Sequence, residues 1–118
     1  LDNLPYQSEQ FDAIICNAVL HFARDDNHFH KMITELWRVL KPQGFLFIRL
    51  ASSIGIEDKI IPLSNNRYLL PDKSTRYLVT EQDLLTLTDQ LGAELLDPIK
   101  TTNVQGLRCM STWVVKKL

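Results

Sequence analysis

The chain has 118 residues, the size of one domain, and its 45% hydrophobic and 23% charged residues are globular values that exclude a disordered chain. Thirteen basic and fourteen acidic residues give a net charge of −1, and neither half is strongly basic, so the charge does not indicate a nucleic-acid partner. No apolar run is long enough to span a membrane, and two cysteines, Cys16 and Cys109, are too few for a disulfide scaffold, so we expect a reducing, cytoplasmic location.

The first predicted elements are a strand, a helix and a second strand. Residues 11–16 read Phe-Asp-Ala-Ile-Ile-Cys, a run that does not alternate, so we predict a strand covered on both faces inside a parallel sheet. Asp25 and Asp26 are candidate helix caps, and apolar side chains then recur every three or four residues. The sequence Lys-Pro-Gln-Gly at 41–44 is predicted to end the helix before a strand at 45–50, which completes a right-handed parallel unit.

The second half of the chain predicts a long loop, a helix and two strands. Residues 51–79 are rich in Ser, Asn and Pro, and an irregular segment of this length is usually a lid or a binding loop. The sequence Thr-Glu-Gln-Asp from Thr80 onwards is a near capping box at the start of the next helix. Beyond that helix we predict a strand at 94–99, a turn at 101–106 and an antiparallel final strand at 107–116.

Two segments of the first half resemble a known family. One contains Leu4-Pro5-Tyr6, the strand sequence Phe-Asp-Ala-Ile-Ile and the pair Leu20-His21. The other is the sequence Glu-Leu-Trp-Arg-Val-Leu-Lys-Pro-Gln-Gly-Phe-Leu at 35–46, in which Gln-Gly stands where the family usually has Gly-Gly. Together they resemble the carboxyl-terminal half of the class I S-adenosylmethionine-dependent methyltransferases, in particular of the small-molecule type.

The resemblance implies an α/β fold with a partial Rossmann-like methyltransferase sheet. The four predicted strands correspond in chain order to the family's fourth, fifth, sixth and seventh strands, whose order in the sheet is 4-5-7-6 with the last strand antiparallel. The helices at 25–41 and 81–91 are then expected on the same face of the sheet, because both crossovers are right-handed and move in the same direction. Residues 1–118 are interpreted as a single, partial domain, with 51–79 as an insertion on the substrate side.

The resemblance also implies S-adenosylmethionine as the cofactor of the complete enzyme. Asn17 and Ala18 directly follow the family's fourth strand and border the methionine part of the cofactor, while Leu4 lies in the loop that covers the adenine edge. The alternative for Asn17 is a residue that only caps a turn. The family's Gly-rich turn and ribose-binding carboxylate are absent from this sequence, so we expect the chain alone to be inactive and not to hold the cofactor tightly.

The candidate catalytic residue is His21, which the resemblance places where it can take a proton from an acceptor hydroxyl or amine. The alternative is a histidine that packs at the start of the helix region. The candidate substrate-binding residues are Arg49 and Ser52, at the end of the second strand, and Tyr68 and Tyr77 in the long loop. These side chains fit an anionic or aromatic acceptor, and the alternative is a loop whose tyrosines form its own small core.

The function implied by the resemblance is methyl transfer from S-adenosylmethionine to a small-molecule acceptor. The main alternative is a non-catalytic half-domain that packs on a partner chain and does not bind cofactor, and a further one is half of another open α/β protein, such as a hydrolase or reductase. Expected partners are the acceptor and either the missing amino-terminal half or a second copy, bound through an exposed sheet edge or face, with no nucleic acid and no membrane. His28 and His30 are two residues apart, a spacing that does not favour a shared metal ion, so we predict no metal site.

Overall fold

The structure is a computed structural model that describes residues 2–118. The helices in this part of the chain are α1 (Asp26–Val39) and α2 (Glu81–Gln90), and a 3-10 turn spans Leu20–Phe22. The strands are, in chain order, β1 (Phe11–Asn17), β2 (Leu40–Ser52), β3 (Ile61–Pro62), β4 (Arg67–Leu69), β5 (Thr75–Tyr77), β6 (Glu94–Leu95), β7 (Lys100–Val104) and β8 (Arg108–Lys116). A search of residues 2–118 finds no helix that is long and apolar enough to cross a membrane.

The larger sheet has the strand order β1-β2-β8-β6, and β7 also pairs with β8. β1 and β2 are parallel, whereas β8 runs antiparallel to β2, β6 and β7. In the family's strand labels this is the order 4-5-7-6 with the last strand antiparallel, as predicted from the sequence.

Both helices cover the same face of this sheet. Leu46, Ile48 and Leu50 alternate along β2 and are fully buried in one apolar cluster with side chains of both helices. Trp113 of β8 lies in the same cluster, and its indole N–H donates to the Thr88 hydroxyl on α2 at 2.9 Å. The expectation that the helices share one face is therefore confirmed.

The opposite face of the sheet is only partly covered. The Ile15 side chain is 74% exposed on β1, and Phe45, nearby on β2, is 42% exposed. Within residues 2–118, β1 pairs only with β2, so its other edge carries unpaired backbone groups. The expectation that both faces of residues 11–16 are buried is wrong for Ile15, whose exposure agrees instead with the expectation of an exposed sheet edge or face.

The junction between α1 and β2 depends on a bulge. Phe11 pairs with Leu40, and Ala13 pairs with Phe45. Residues 41–44, which were predicted to end the helix, therefore bulge out of the pairing between β1 and β2. Gly44 is required at its end, because a Cβ there would lie 2.6 Å from the carbonyl oxygen of Asp12. The bulge holds the carboxyl ends of β1 and β2 in register, with Asn17 opposite Arg49.

The segment predicted as a long irregular loop contains its own small sheet. Strands β3, β4 and β5 pair antiparallel in that order, and Val79 forms a parallel bridge with Ser52. A second apolar cluster joins this segment to the ends of β2 and β8. It consists of Ala51, Ile56, Leu70, Leu78, Cys109 and Met110. This sheet is anchored beside the carboxyl end of β2. That residues 51–79 are an insertion on the substrate side stays a prediction.

The last part of the chain differs from the prediction between residues 94 and 106. The predicted strand at 94–99 is interrupted after Leu95, and the predicted turn at 101–106 is mostly strand β7. Pro98 has no backbone N–H to donate to a neighbouring strand, which fits the interruption after Leu95. The chain reverses direction later, at Gln105 and Gly106, where φ is 56° and 69°. β7 and β8 therefore form a hairpin that starts β8 at the same sheet edge where β1 and β2 end.

Candidate functional site

A cavity of about 190 Å³ opens at the carboxyl ends of β1 and β2. β1 ends at Asn17, and the chain turns away at Ala18, which has a φ of 60° and donates its N–H to the Arg49 carbonyl at 2.8 Å. The lining residues come from four separate segments: Ala18, His21, Arg49, Ala51, Leu70, Arg76, Arg108 and Met110. Ligands of open α/β sheets bind at this edge, beyond the carboxyl ends of the strands.

Asn17 and Ala18 lie together at this edge, as the resemblance implied. The Asn17 side chain is exposed, and its amide oxygen accepts a long hydrogen bond of 3.4 Å from Arg49. Asn17 pairs with Arg49 across the strands, so both side chains are on the outer face of the sheet. An exposed amide with only one weak partner remains available to a ligand.

His21 is buried beside the cavity, with 5% of its surface exposed. Its Nδ1 accepts the Ala51 N–H at 3.2 Å, so the proton of the neutral ring is on Nε2. Burial, followed by the charges of Arg76, Arg108 and Arg49, lowers the pKa of His21 to about 4. The imidazole is therefore neutral near pH 7, and the geometry favours donation from Nε2 over the proton-accepting role expected from the sequence.

Three arginines converge on the cavity from different strands. Arg49 is on β2, Arg76 is on β5 and Arg108 begins β8. The ion pairs formed within residues 2–118 involve other residues, so each of these guanidinium groups lacks a carboxylate within 4.0 Å. Arg76 instead lies over the Phe22 ring, 4.8 Å from its centroid.

Arg108 was not considered from the sequence, and Arg76 was noted only as one of the loop side chains that could close over a substrate. The signal for Arg108 is indirect, because its place at the cavity follows only from the antiparallel return of β8. Arg76 lies in the segment treated as irregular, and its side-chain direction depends on the β4–β5 pairing. Sequence spacing alone therefore could not bring these two residues to Arg49.

Two of the predicted substrate-binding residues lie on the helix side of the sheet instead. Ser52 is completely buried, and its hydroxyl is 2.7 Å from that of Ser111. Tyr77 stacks on Phe29 of α1 and donates its hydroxyl to Asp26. Both side chains have structural partners, and neither lines the cavity beside His21.

Tyr68 and Leu4 also lie outside the cavity. Tyr68 packs against the second apolar cluster, as in the alternative in which the loop tyrosines form their own core. The Leu4 N–H donates to Glu35 at 2.9 Å, and its carbonyl accepts from Arg38, which places Leu4 along α1. Its predicted contact with the cofactor's adenine stays a prediction.

Comparison with known proteins extends these findings. A family model described as a methyltransferase domain matches residues 1–48. An S-adenosylmethionine-dependent methyltransferase from Methanosarcina mazei superposes with a TM-score of 0.76 at 19% identity, over 99% of this chain and 64% of that one. This is the fold of the class I methyltransferases. The resemblance to the class I methyltransferases is confirmed for the fold and, at residues 1–48, by the family model.

Two further relatives have stated substrates or ligands. The 1,6-didemethyltoxoflavin-N1-methyltransferase of Burkholderia thailandensis, with 1,6-didemethyltoxoflavin and S-adenosylhomocysteine bound, has a TM-score of 0.71 at 16% identity, over 98% of this chain and 47% of that one. A tRNA (carboxymethyluridine(34)-5-O)-methyltransferase of Arabidopsis thaliana is 52% identical over 46 residues, which are 39% of this chain and 11% of that protein. The chain thus spans about half to two-thirds of the two solved structures and about a tenth of the curated relative.

The described residues fit one side of an S-adenosylmethionine site. The exposed Asn17 amide and the Ala18 backbone stand at the end of a parallel strand, where a polar group can contact the amino-acid end of the cofactor. Glycines occur at 44, 55, 92 and 106, none of them in a turn between a parallel strand and a helix that could approach a nucleoside. Residues 2–118 therefore contain groups that fit the sheet edge of such a site, and no turn that fits its glycine-rich side.

Proposed function

We propose that this chain forms the acceptor side of an S-adenosylmethionine-dependent methyltransferase that acts on a small molecule. The observation that carries the proposal is the cavity directly beside Asn17 and Ala18, in a fold whose relatives use this cofactor. At about 190 Å³ the cavity is smaller than the roughly 300–1,000 Å³ of most ligand pockets, which suits a compact acceptor.

The residues of this chain contribute mainly by positioning. When bound, S-adenosylmethionine supplies an electrophilic methyl group, which the acceptor atom takes as the carbon–sulfur bond breaks and its electrons pass to sulfur. The Asn17 amide oxygen would accept from the cofactor's ammonium group, and the apolar side chains of Leu70 and Met110 would exclude water from the acceptor. Positioning of the acceptor against the methyl group would carry much of the rate. A general base is therefore optional, and a proton on the acceptor atom would leave to water.

A second candidate acceptor is RNA, favoured by the tRNA methyltransferase that is 52% identical over 46 residues. The match covers 39% of this chain. Against it, the net charge is −1, and a protein that binds RNA through its backbone usually has a basic surface. We therefore place the small-molecule acceptor first.

The two acceptors are separated by following the methyl group. The natural polypeptide that contains these residues is incubated with S-adenosylmethionine labelled in the methyl group and with a cell extract divided into RNA and molecules below about 1 kDa. We expect label in the small-molecule fraction and none in RNA. Label in RNA alone would assign the second candidate, and transfer to neither fraction, with no S-adenosylhomocysteine formed, would contradict methyl transfer.

A further inference from the structure

The three arginines at the cavity present an unbalanced positive charge. Arg49, Arg76 and Arg108 come from three strands, and none has a carboxylate within 4.0 Å. Their charges repel one another, and their combined effect is evident at His21, whose pKa all three lower. Arginines brought together without counter-charges are typical of a site that takes its negative charge from a ligand.

We propose that the cavity binds a carboxylate or phosphate group of the methyl acceptor through the guanidinium groups of Arg49, Arg76 and Arg108 and the Nε2–H of His21. This inference rests on the proposed function, since it names the chemical class of the acceptor used at that same site. It assigns to the acceptor an oxyanion as its binding group.

The arginine side chains keep most of their donors free. Arg49 uses one N–H in the 3.4 Å hydrogen bond to Asn17, and Arg76 uses one on the Thr75 carbonyl at 2.9 Å. The Phe22 ring beneath Arg76 holds its guanidinium plane without consuming a donor. Because each guanidinium has five N–H groups, a planar carboxylate or a phosphate finds several donors at once.

His21 adds a neutral donor with a fixed orientation. The hydrogen bond from the Ala51 N–H occupies Nδ1, and within residues 2–118 no side-chain nitrogen or oxygen is buried without a partner. Within the same residues Nε2 has no protein partner and is not fully buried, and His21 is one of the residues that line the cavity. The ring donates as a neutral imidazole and needs no proton from the ligand.

Asp72 is an acidic group close enough to Arg76 and Arg108 for their charges to affect its pKa, but its carboxylate already accepts hydrogen bonds from Ser74. Arg76 and Arg108 contribute to lowering the pKa of Asp72, but its main partners are the hydroxyl and the N–H of Ser74. Asp72 does not line the cavity and forms no ion pair there. It therefore reduces the positive potential without filling the site.

The test is anion binding without cofactor, measured by calorimetry at low salt on the natural polypeptide that contains these residues. The probes are inorganic phosphate, benzoate and benzamide, the last being the neutral match to benzoate. We expect saturable binding of benzoate or phosphate, at least about tenfold tighter than that of benzamide, because charge-assisted hydrogen bonds are lost with the charge. The tighter of the two anions identifies a carboxylate or a phosphate as the group recognised.

Variants then locate the site. Arg76→Gln and Arg108→Gln are each expected to weaken binding of the preferred anion about tenfold, while Arg24→Gln, an exposed residue away from the cavity, changes it less than about twofold. Unchanged melting temperatures show that the variants fold, since Arg108 is exposed and Arg76 is half-buried.

Equal binding of benzoate and benzamide, with no saturable binding of phosphate, would overturn the proposal. An equal loss in the Arg24→Gln variant would also overturn it, because binding would then depend on net charge alone. Methyl transfer to uncharged acceptors without anion binding contradicts this inference and leaves the proposed function intact. Anion binding without methyl transfer supports the cavity assignment and contradicts the proposed function.

Discussion

Asn17 is the last residue of β1 and the side chain that we expect to contact the cofactor. Its side chain is exposed and makes one weak hydrogen bond, so Asn17→Ala should change the melting temperature little. In the natural polypeptide we expect turnover to fall about tenfold, as for loss of one hydrogen bond to a charged group. Initial rates at saturating cofactor measure this, with Asn27→Ala on the exposed face of α1 as the control. Equal rates for wild type and Asn17→Ala would exclude a role at the reacting centre.

His21 makes the folding free energy depend on pH. Its folded pKa is about 4, below the unfolded value near 6.5, so the unfolded chain binds more protons between these values. Stability from this group is complete above pH 6.5 and is lost as the pH falls towards 4, by at most about 3 kcal/mol. Denaturant unfolding across this range should show a shallower pH dependence for His21→Gln, whose amide oxygen can accept the Ala51 N–H.

The control for His21 is Asn27→Ala, since Asn27 does not titrate, is exposed on α1 and does not line the cavity. Its pH profile should follow the wild type. A His21→Gln profile that parallels the wild type from pH 6.5 to 4 would mean that the imidazole is not held neutral by burial and the arginines.

At this scale the sequence placed some residues at the edge where the cavity opens and missed others. Asn17 ends β1, and Ala18 and His21 come shortly after it, so their position at the sheet edge is a local consequence of chain order. Arg76 and Arg108 reach the same place only through tertiary pairing. Ser52 was placed at the correct edge, but strand alternation turns its side chain to the buried face.

The best-defined helix start is the capping box of α2. The Thr80 hydroxyl accepts the Asp83 N–H at 3.0 Å, and the Asp83 carboxylate accepts the Thr80 N–H at 2.9 Å. Thr80→Ala removes the first bond, and we expect a loss of about 1 kcal/mol, or roughly 4 °C in melting temperature. Thr86→Ala, an exposed site within the same helix, should lower it by much less, because alanine is the better helix former. Equal losses would contradict a specific cap.

The accuracy of the predicted elements depends on how local their signals are. Apolar periodicity and caps located β1, both helices and β8, because those signals lie within each segment. The 51–79 segment has strands of two or three residues, too short for alternation to be recognised. β7 was predicted as a turn because its Thr-Thr-Asn sequence is polar, and only pairing with β8 makes it a strand.

For the whole molecule, we expect another chain to bind at the unpaired edge and the outer face of β1. Ile15 lies opposite Phe47 on β2, which in turn pairs with Val114 on β8, so an apolar stripe crosses the sheet. Exposed stripes of this kind favour contacts with another chain. We propose that the isolated 118-residue chain binds a second copy here, or in the complete enzyme the amino-terminal half.

Ile15→Lys tests this surface, because a lysine on an edge strand opposes strand pairing and replaces the most exposed apolar side chain of the sheet. Analytical ultracentrifugation of the isolated chain should show association for the wild type and at least about tenfold weaker association for Ile15→Lys. Leu63→Lys, an exposed apolar position outside the larger sheet, is the control and should associate like the wild type. A wild-type monomer at all concentrations would contradict the proposal.

The strand order of the larger sheet could be predicted from the sequence, because it depends on the handedness of one crossover and on the resemblance to a known family. The strand–helix–strand unit fixes β1 and β2 as parallel neighbours through the handedness of the crossover, and the resemblance supplied the antiparallel position of β8. The exposure of Ile15 agrees with the expectation of an exposed sheet edge or face, which came from the absence of the family's first half in this sequence.

The most direct test of the functional assignment is a crystal structure of the natural polypeptide that contains these residues, bound to S-adenosylhomocysteine. We expect the amino-acid part of this product in van der Waals contact, about 4 Å, with Asn17 and Ala18, and its sulfur facing the cavity lined by His21 and the three arginines. A product bound elsewhere, with Asn17 and the cavity in contact with solvent alone, would contradict the assignment of this sheet edge to methyl transfer.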